Sequence, residues 1–352
     1  MRKQQCIITE PLSLGDDHPG RSRQLRSPPL SAEIIDCLKT YPLRILHPVP
    51  SLDILQRRCN NYYMWKRKIL LSLLIPLCIP LVAGMPAVGR EDRADDVLRV
   101  SDGKIISFKS MIAEAKKADI IFIGEVHDIQ EHHRMELEVI RALHESNAPI
   151  VVGLEMFRAD SQRALDAWVA GTSSTDQFLP VYYDNWRQPW PSYRDIFEYA
   201  REHRIPLLGL NVPDDIGETV ARRGFDALSA KQKKQLPPEI SCDIDPTYMD
   251  FIKKAYAGHS QKAGNRFLNF CEAQMVWDKT MAWHLIKYLD KHRGKTVIVL
   301  AGVGHAWKRG IPEQMVRQSQ SQYRSKTILP LVPGQIEPES ISIRDADYVL
   351  LR

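Results

Sequence analysis

Glu125, His127 and Asp128 place three ionisable side chains directly after an apolar run. Residues 120–123 are isoleucine and phenylalanine, the composition of a strand buried on both faces, and Gly124 allows the chain to turn. In α/β sheets, ligands bind beyond the carboxyl ends of the strands. These three residues therefore either lie where such a fold carries its chemistry or form only a solvated polar loop.

Three further apolar segments are followed by polar side chains. They are 150–155, which ends at Glu155, 205–211, which ends at Asn211, and 296–301, which runs into His305. Two of the four strand ends share the spacing Gly-x-x-His, at Gly124–His127 and Gly302–His305. Because the carboxyl ends of parallel strands meet at one edge of a sheet, we expect these side chains to converge.

Two imidazoles and two carboxylates at one sheet edge allow three interpretations. Histidine nitrogens and carboxylate oxygens are ordinary zinc and manganese ligands, which predicts a divalent-metal site. Its ligands would be Glu125, His127, His133, Glu155 and His305. Alternatively, His127 is a catalytic general base that Glu125 orients, or the cluster is a buried polar network that only ties strand ends together. His133, at the start of the next predicted helix, either joins the site or lies in solvent.

Strands that alternate with helices predict an α/β fold, with a mostly parallel central sheet flanked by helices in a single domain over residues 98–352. The aromatic and proline-rich segment 179–193 is expected to be too irregular for a long helix. It either lines an apolar ligand surface or packs on its own rings. In the long helix predicted over residues 266–292, Gln274 and Asp278 lie on one face.

The segment 64–87 has the pattern of a secretory signal peptide. Basic residues at positions 66–68 precede a short apolar core with two prolines, and small residues follow. We therefore expect an exported protein, periplasmic or membrane-associated, that starts at Met64, unless the segment stays as an uncleaved anchor. Residues 1–63 are interpreted as a doubtful upstream extension or a disordered tail, and residues 88–97 as a charged spacer.

Charge and cysteine usage narrow the possible functions further. The net charge of +5 is spread along the chain without a basic stripe, which argues against nucleic-acid binding. Cys78 is a poor lipidation site, because proline and leucine precede it where small residues are expected. Cys242 and Cys271 fall in the predicted domain, and in an oxidising compartment they either pair or stay free. The chain has no Cys-x-x-Cys-His motif, so covalent c-type haem is excluded.

The sequence resembles the ChaN-like haem-binding uptake family of the Tiki superfamily over about residues 98–315. Seven motifs in the family order carry this resemblance. They are GEVHD at 124–128, EHH at 131–133, GLEMF at 153–157, WPSY at 190–193, LNVP at 210–213, AQMVWDKTMA at 273–282 and AGVGH at 301–305.

This resemblance implies an exported, often lipid-anchored bacterial protein of iron or haem acquisition that binds haem at a homodimer interface. It also implies relatives that are metal-dependent proteases and esterases with the same two Gly-x-x-His elements, so a metal-dependent hydrolase is the alternative function. The family's acid and histidine positions match Glu125, His127, Glu155 and His305.

A haem site requires an axial ligand, apolar contacts and cationic partners for the propionates. In the family, tyrosine is associated with haem ligation, and the candidates here are Tyr182, Tyr183, Tyr193, Tyr248 and Tyr256. The residues predicted to bind the cofactor are Tyr183, Trp186, Trp190, Tyr193, Asn211, Gln274 and Asp278. The candidate propionate partners are Arg187, Arg194 and Lys308.

Overall fold

One sheet of eight strands organises the computed structural model, which describes residues 96–238, 240–259 and 266–351. The strands are β1 (Val97–Arg99), β2 (Lys104–Ile106), β3 (Ile120–Glu125), β4 (Ile150–Arg158), β5 (Leu207–Asn211), β6 (Thr296–Gly302), β7 (Ser325–Pro330) and β8 (Tyr348–Leu350). Their order across the sheet is β2-β1-β8-β7-β3-β6-β4-β5. The predicted extension, the signal peptide and Cys78 lie outside the described residues.

The sheet is mostly parallel. Strands β8, β7, β3, β6, β4 and β5 run parallel to one another, whereas β1 pairs antiparallel with both β2 and β8. The antiparallel part is the hairpin at the start of the domain, and β8 joins it to the rest of the sheet. The predicted α/β fold with a mostly parallel central sheet is therefore confirmed.

Helices occupy the connections between the strands. They are α1 (Phe108–Ala115), α2 (Gln130–Glu145), α3 (Gln162–Val169), α4 (Thr175–Asn185), α5 (Trp190–Glu202), α6 (Asp214–Arg223), α7 (Ala230–Lys233), α8 (Pro246–His259), α9 (Arg266–Lys291), α10 (Val303–Ala306) and α11 (Ile311–Gln318). Short 3-10 turns span Ala159–Ser161 and Phe225–Ala227. Among the described residues, no helix is both long enough and apolar enough to span a membrane.

The sheet is buried on both faces, as the apolar composition of its central strands requires. Every residue of β3 is buried. Ile121 and Ile123 belong to the core built with helices α1 to α5, whereas Ile120 and Phe122 belong to the core built with α9 and α11. Because successive side chains of a strand point to opposite faces, these two cores lie on opposite sides of the sheet.

The aromatic segment 179–193 differs from its predicted irregular structure. It contributes to two helices, α4 and α5, and Pro180 lies inside α4. The start of α4 is fixed by a capping box in which Ser174 and Gln177 bond reciprocally to each other's backbone N–H groups. No long helix spans 179–193, as predicted, because residues 186–189 separate α4 from α5. Both ends of the segment are nevertheless helical, since the cap and the packing of α4 against the core sustain a helix that contains a proline.

A disulfide joins Cys242, in the loop before α8, to Cys271 on α9, with a Cα–Cα distance of 5.8 Å. Of the two possibilities left open by the sequence, the structure therefore has the paired form. The bond attaches the segment 240–248 to the long helix α9.

Candidate active site at the strand ends

The carboxyl ends of β3, β6 and β4 lie side by side, because β6 is the neighbour of both other strands. Glu125 at the end of β3 is in register with Gly302 at the end of β6. In the β4–β6 pair Leu154 is in register with Leu300, which brings Glu155 to the same edge. The predicted convergence of strand-end side chains is therefore present in the structure.

A first relay of hydrogen bonds connects Tyr193, Glu125 and His127. The Tyr193 hydroxyl donates to both oxygens of Glu125, at 2.8 and 3.0 Å. His127 Nδ1 lies 2.7 Å from Oε1 of the same carboxylate. Glu125 is only 1 % exposed, so it depends on these partners for its charge. We call Tyr193, Glu125 and His127 the first relay.

The electrostatics of the first relay favour an ionised Glu125. Burial alone would raise the pKa of Glu125, but His127 and His133 outweigh burial and lower it to about 2. Burial would lower the pKa of His127, yet the hydrogen bond with Glu125 and the charge of Glu155 raise it overall. Because Glu125 is ionised, it is the acceptor and His127 Nδ1 carries the hydrogen. The Nε2 atom of His127 is thereby turned away from Glu125.

His132 and His133 are both buried, so the solvent-exposed alternative for His133 is wrong. His133 Nε2 lies 2.8 Å from Glu125 Oε2, although the approach falls outside hydrogen-bond geometry, and its ring lies tilted against that of Tyr193, with 4.1 Å between the ring centroids. His132 Nδ1 accepts the backbone N–H of Val126 at 2.9 Å. Burial lowers the pKa of His132, which keeps this ring a neutral acceptor.

A second relay repeats the arrangement of the first with Tyr248, Asp278 and His305. The Tyr248 hydroxyl donates to Asp278 Oδ2 at 2.7 Å, and His305 Nδ1 lies 2.6 Å from Asp278 Oδ1. Asp278 is completely buried. Burial raises the pKa of Asp278. Burial would lower the pKa of His305, but the charges of Glu155 and Asp278 and the hydrogen bond raise it to about 9.

The two relays meet at Glu155 and Gly302. His305 Nε2 lies 3.8 Å from Glu155 Oε1, and the Gly302 N–H donates to Glu155 Oε2 at 2.7 Å. A Cβ atom at position 302 would lie 3.0 Å from His127 Cε1 and 3.7 Å from Glu155 Oε2. Glycine is therefore the residue that lets the His127 ring approach β6. Both imidazoles consequently lie beside one carboxylate.

Glu136 is a functional candidate that the sequence interpretation missed. It lies one turn after His133 on α2 and is completely buried, and both of its carboxyl oxygens have no hydrogen-bond partner among the described residues. Burial raises its pKa well above the ordinary value, and the charges of Glu125 and Glu155 raise it further. The sequence did carry a signal for it, since Glu136 falls between Met135 and Val139 on the apolar face of the helix.

The predicted cofactor-binding residues are not all available to a ligand. Trp190 and Tyr193 are buried in the core, and Asp278 is bound within the second relay. Asn211 donates to the backbone oxygen of Glu155 at 2.8 Å and fixes the end of β4. Gln274 is half-buried on α9. For Trp190, Tyr193 and Asp278, direct contact with a cofactor is therefore not supported by this structure.

Tyr183 and Trp186 are predicted cofactor residues that remain at least partly accessible. Tyr183 is 49 % exposed, and its hydroxyl oxygen accepts the Trp190 N–H at 3.1 Å. Trp186 is half-buried and meets the His127 ring edge-on at 4.9 Å. The His127 side chain is itself 36 % exposed. These residues form an accessible surface next to the first relay.

The divalent-metal alternative is not supported. In the part of the chain that the structure describes, no group of three or more His, Cys, Asp or Glu residues is arranged to hold a metal ion. The five predicted ligands instead contact one another, since Glu125 is occupied by His127, His133 and Tyr193. Their arrangement is that of two hydrogen-bonded relays beside Glu155.

Comparison with known proteins identifies a family and a fold. The model of a family described as "Haem-binding uptake, Tiki superfamily, ChaN" matches residues 111–315. The structure is similar to that of ChaN of Campylobacter jejuni, described as showing cofacial heme binding, with a TM-score of 0.57 and 24 % sequence identity. That similarity covers 72 % of this chain and 94 % of the other, and it shows the shared fold.

Two further solved structures match this chain at lower TM-scores. Erythromycin esterase EreC is 12 % identical, covers 66 % of this chain and 74 % of its own, and has a TM-score of 0.42. The type III effector HopBA1 is 11 % identical, covers 68 % of this chain and 90 % of its own, and has a TM-score of 0.39. No sequence among the curated proteins matches this chain.

Proposed function

Because the chain belongs to the haem-binding uptake family of the Tiki superfamily that includes ChaN, we propose that it is an exported haem-binding protein acting in haem or iron uptake. The family match over residues 111–315 is the observation that carries this proposal, since it contains both relays. The signal-peptide pattern at 64–87 supports export to the periplasm or to a membrane surface.

The tyrosines of this chain fit a haem site at one position. Three of the tyrosines have buried rings and already use their hydroxyls as hydrogen-bond donors. Tyr182 donates to the backbone oxygen of Gln188, Tyr193 donates to Glu125, and Tyr248 donates to Asp278. Burial raises the pKa of all three tyrosines, which opposes the ionised form that binds iron. Tyr256 is half-buried against Phe267 and Phe270. Tyr183, which is exposed, is therefore the residue that would ligate the iron.

A cationic partner for haem also lies near Tyr183 in the sequence. The side chain of Arg187 is 94 % exposed and lies four positions after Tyr183, and its contact with Glu218 is long at 3.9 Å, so we take it as the propionate partner. Arg194 already contacts Asp195 and Glu198, and Lys308 contacts Asp347, which makes them weaker candidates. When bound, haem would supply an iron centre, and the Tyr183 hydroxyl oxygen is the group of this chain that would hold it.

Homodimer formation and membrane association complete the proposal. Because Tyr183 is exposed, a haem bound to it on a single chain would have only one face covered by protein. A second copy of the chain would cover the other face. This agrees with the interface site implied by the family resemblance. Membrane association rests on the apolar segment 64–87 alone.

Haemin titration followed by absorbance tests the haem proposal. The expected result is a saturable Soret shift that weakens at least tenfold in a Tyr183→Phe protein. Tyr182→Phe is the matched control, because the neighbouring ring is buried and should leave haem affinity unchanged. Absence of any Soret shift in the unmodified protein at micromolar haemin would overturn the proposal.

The paired relays favour a second candidate function, which is acid–base hydrolysis of an ester or peptide. His127 is oriented by Glu125 and would take a proton from water, whereas His305, with a pKa of about 9, holds a proton to give to the leaving group. A His127→Ala protein should lose hydrolysis of a chromogenic ester, with Tyr183→Phe as the control. Equal hydrolysis rates in the His127→Ala and unmodified proteins would eliminate this candidate.

A further inference from the structure

The second relay depends on a segment that approaches the site from α8. Tyr248 lies in the first turn of α8, and its hydroxyl bonds to Asp278 on α9. The other carboxylate oxygen of Asp278 is hydrogen-bonded to Nδ1 of His305. Since Tyr248 and Asp278 are almost fully buried, water cannot replace the Tyr248 hydroxyl as the second partner of the Asp278 carboxylate. The orientation of the Asp278 carboxylate is thus set from one side by Tyr248 and from the other by His305.

The same segment is attached to α9 by a covalent bond. Cys242 precedes α8 by a few residues, and Cys271 lies seven positions before Asp278 on α9. Seven residues of an α-helix are two turns, so Cys271 and Asp278 lie on one face of α9, about 10 Å apart. The disulfide and the Tyr248–Asp278 hydrogen bond are therefore two attachments of one segment to one helix face.

A third attachment reaches the loop that follows His305. Arg309 Nη1 lies 2.6 Å from Asp245, and its Nε lies 2.9 Å from Asp345. Asp245 also accepts the backbone N–H of Thr247 at 2.8 Å at the start of α8. The ion pair thus fixes the start of α8 to the chain that carries His305. The disulfide is the attachment among these that reducing conditions would break.

We propose that Tyr248 is a positioning residue for His305, and that the Cys242–Cys271 disulfide holds Tyr248 in place. With Tyr248 bonded to Asp278, His305 keeps its hydrogen on Nδ1 and presents Nε2 to Glu155. Without the disulfide, the segment that carries Tyr248 loses its covalent attachment to α9 and the second relay loosens. The site would then reach its working form only in an oxidising compartment. This inference rests on the acid–base function proposed above.

Proton magnetic resonance of the histidine N–H groups in the full chain tests this inference. A hydrogen on Nδ1 that is bonded to a buried carboxylate exchanges slowly and gives a separate downfield resonance. The resonance of His305 is assigned with His305→Gln. Tyr248→Phe should abolish it, whereas the resonance of His127, which is held by Glu125, should remain. Tyr256→Phe, on the same helix, is the matched control and should preserve both resonances.

The disulfide is tested by joint replacement of Cys242→Ser and Cys271→Ser. The expected result is loss of the His305 resonance with retention of the His127 resonance. A His305 resonance unchanged in Tyr248→Phe would overturn the positioning role, even if the cysteine variant failed to fold. A resonance lost in Tyr248→Phe but kept in a folded cysteine variant would overturn the role of the disulfide. Because neither readout uses haem or a substrate, failure of the proposed functions would be seen separately.

Discussion

Tyr193 and Tyr248 reach the strand ends from opposite faces of the sheet, and each donates its hydroxyl to a buried carboxylate that also holds a histidine. Tyr193 belongs to the core packed with α4 and α5, whereas Tyr248 belongs to the core packed with α6 and α9. The site is consequently assembled from both helical layers. We therefore expect a change in the packing of either helical layer to disturb the site.

Replacement of Tyr193 by phenylalanine should destabilise the protein. The change removes the hydroxyl that donates to both oxygens of Glu125, which is buried and ionised. Loss of a hydrogen bond to a charged group should lower the free energy of unfolding by about 2 kcal/mol. Urea denaturation at neutral pH measures this difference. Tyr256→Phe serves as the control, and an equal effect of both substitutions would contradict the assigned role of Tyr193.

Glu136→Gln should stabilise the protein increasingly as the pH rises. The unfolded pKa of Glu136 is near 4.5 and the folded pKa is well above it, so the folded state binds the proton more strongly. The contribution of Glu136 to the free energy of unfolding is therefore fully present below pH 4.5, and it decreases as the pH rises towards the folded pKa. The advantage of glutamine should grow by up to about 1.4 kcal/mol per pH unit in that window.

Denaturation of both proteins at pH 5 and pH 8 measures this growth. Glu145→Gln is the matched control, because Glu145 ends the same helix and is exposed. A Glu136→Gln advantage that stays constant between the two pH values would show that Glu136 is ionised in the folded protein. Infrared absorption of a protonated carboxyl at pH 7, absent from Glu136→Gln, would report the same proton directly.

His305 should contribute stability that depends on pH with a defined sign. Its folded pKa of about 9 lies above the ordinary 6.5, so its contribution is fully present below pH 6.5 and is lost as the pH rises through 9. The stability difference between the unmodified protein and His305→Gln should therefore be largest near pH 6 and shrink by roughly 3 kcal/mol by pH 10. Thermal or urea denaturation across this range measures it. A difference that is greater at pH 10 than at pH 6 would have the wrong sign.

Gly302→Ala should disturb the first relay more than the second. The added Cβ would lie 3.0 Å from His127 Cε1, so the His127 ring must move away from β6. The second relay reaches β6 through Glu155 and keeps its own hydrogen bonds. The N–H resonance of His127 should shift while that of His305 stays. A shift confined to His305 would mean that the packing of His127 on Gly302 has been misassigned.

The sequence predicted the sheet and the convergence of Glu125, Glu155 and His305, because local composition determines these features. Apolar strands that each end in a polar residue need only be parallel for those residues to meet. The partners of His305 were not predictable in the same way. Asp278 and Tyr248 lie on helices whose placement is set by tertiary packing, and no local pattern links them to His305.

The aromatic segment shows the converse difficulty. The proline within α4 made this part of the sequence look unsuited to a helix, because a local interpretation treats proline as a helix breaker. In the folded protein, the capping box and the contacts with the core together stabilise the helix in spite of the proline. The tyrosines were equivalent in the sequence. Only their burial separates the exposed Tyr183 from Tyr182 and Tyr193.

The position of β8 has a consequence for the order of assembly. This strand lies between β1 and β7, so the first hairpin of the domain is connected to the parallel sheet through the last strand. The hairpin therefore has no place in the sheet until nearly all of the domain has been synthesised. Pairing between such distant parts of a chain is slow, and we expect sheet closure to be a late folding event.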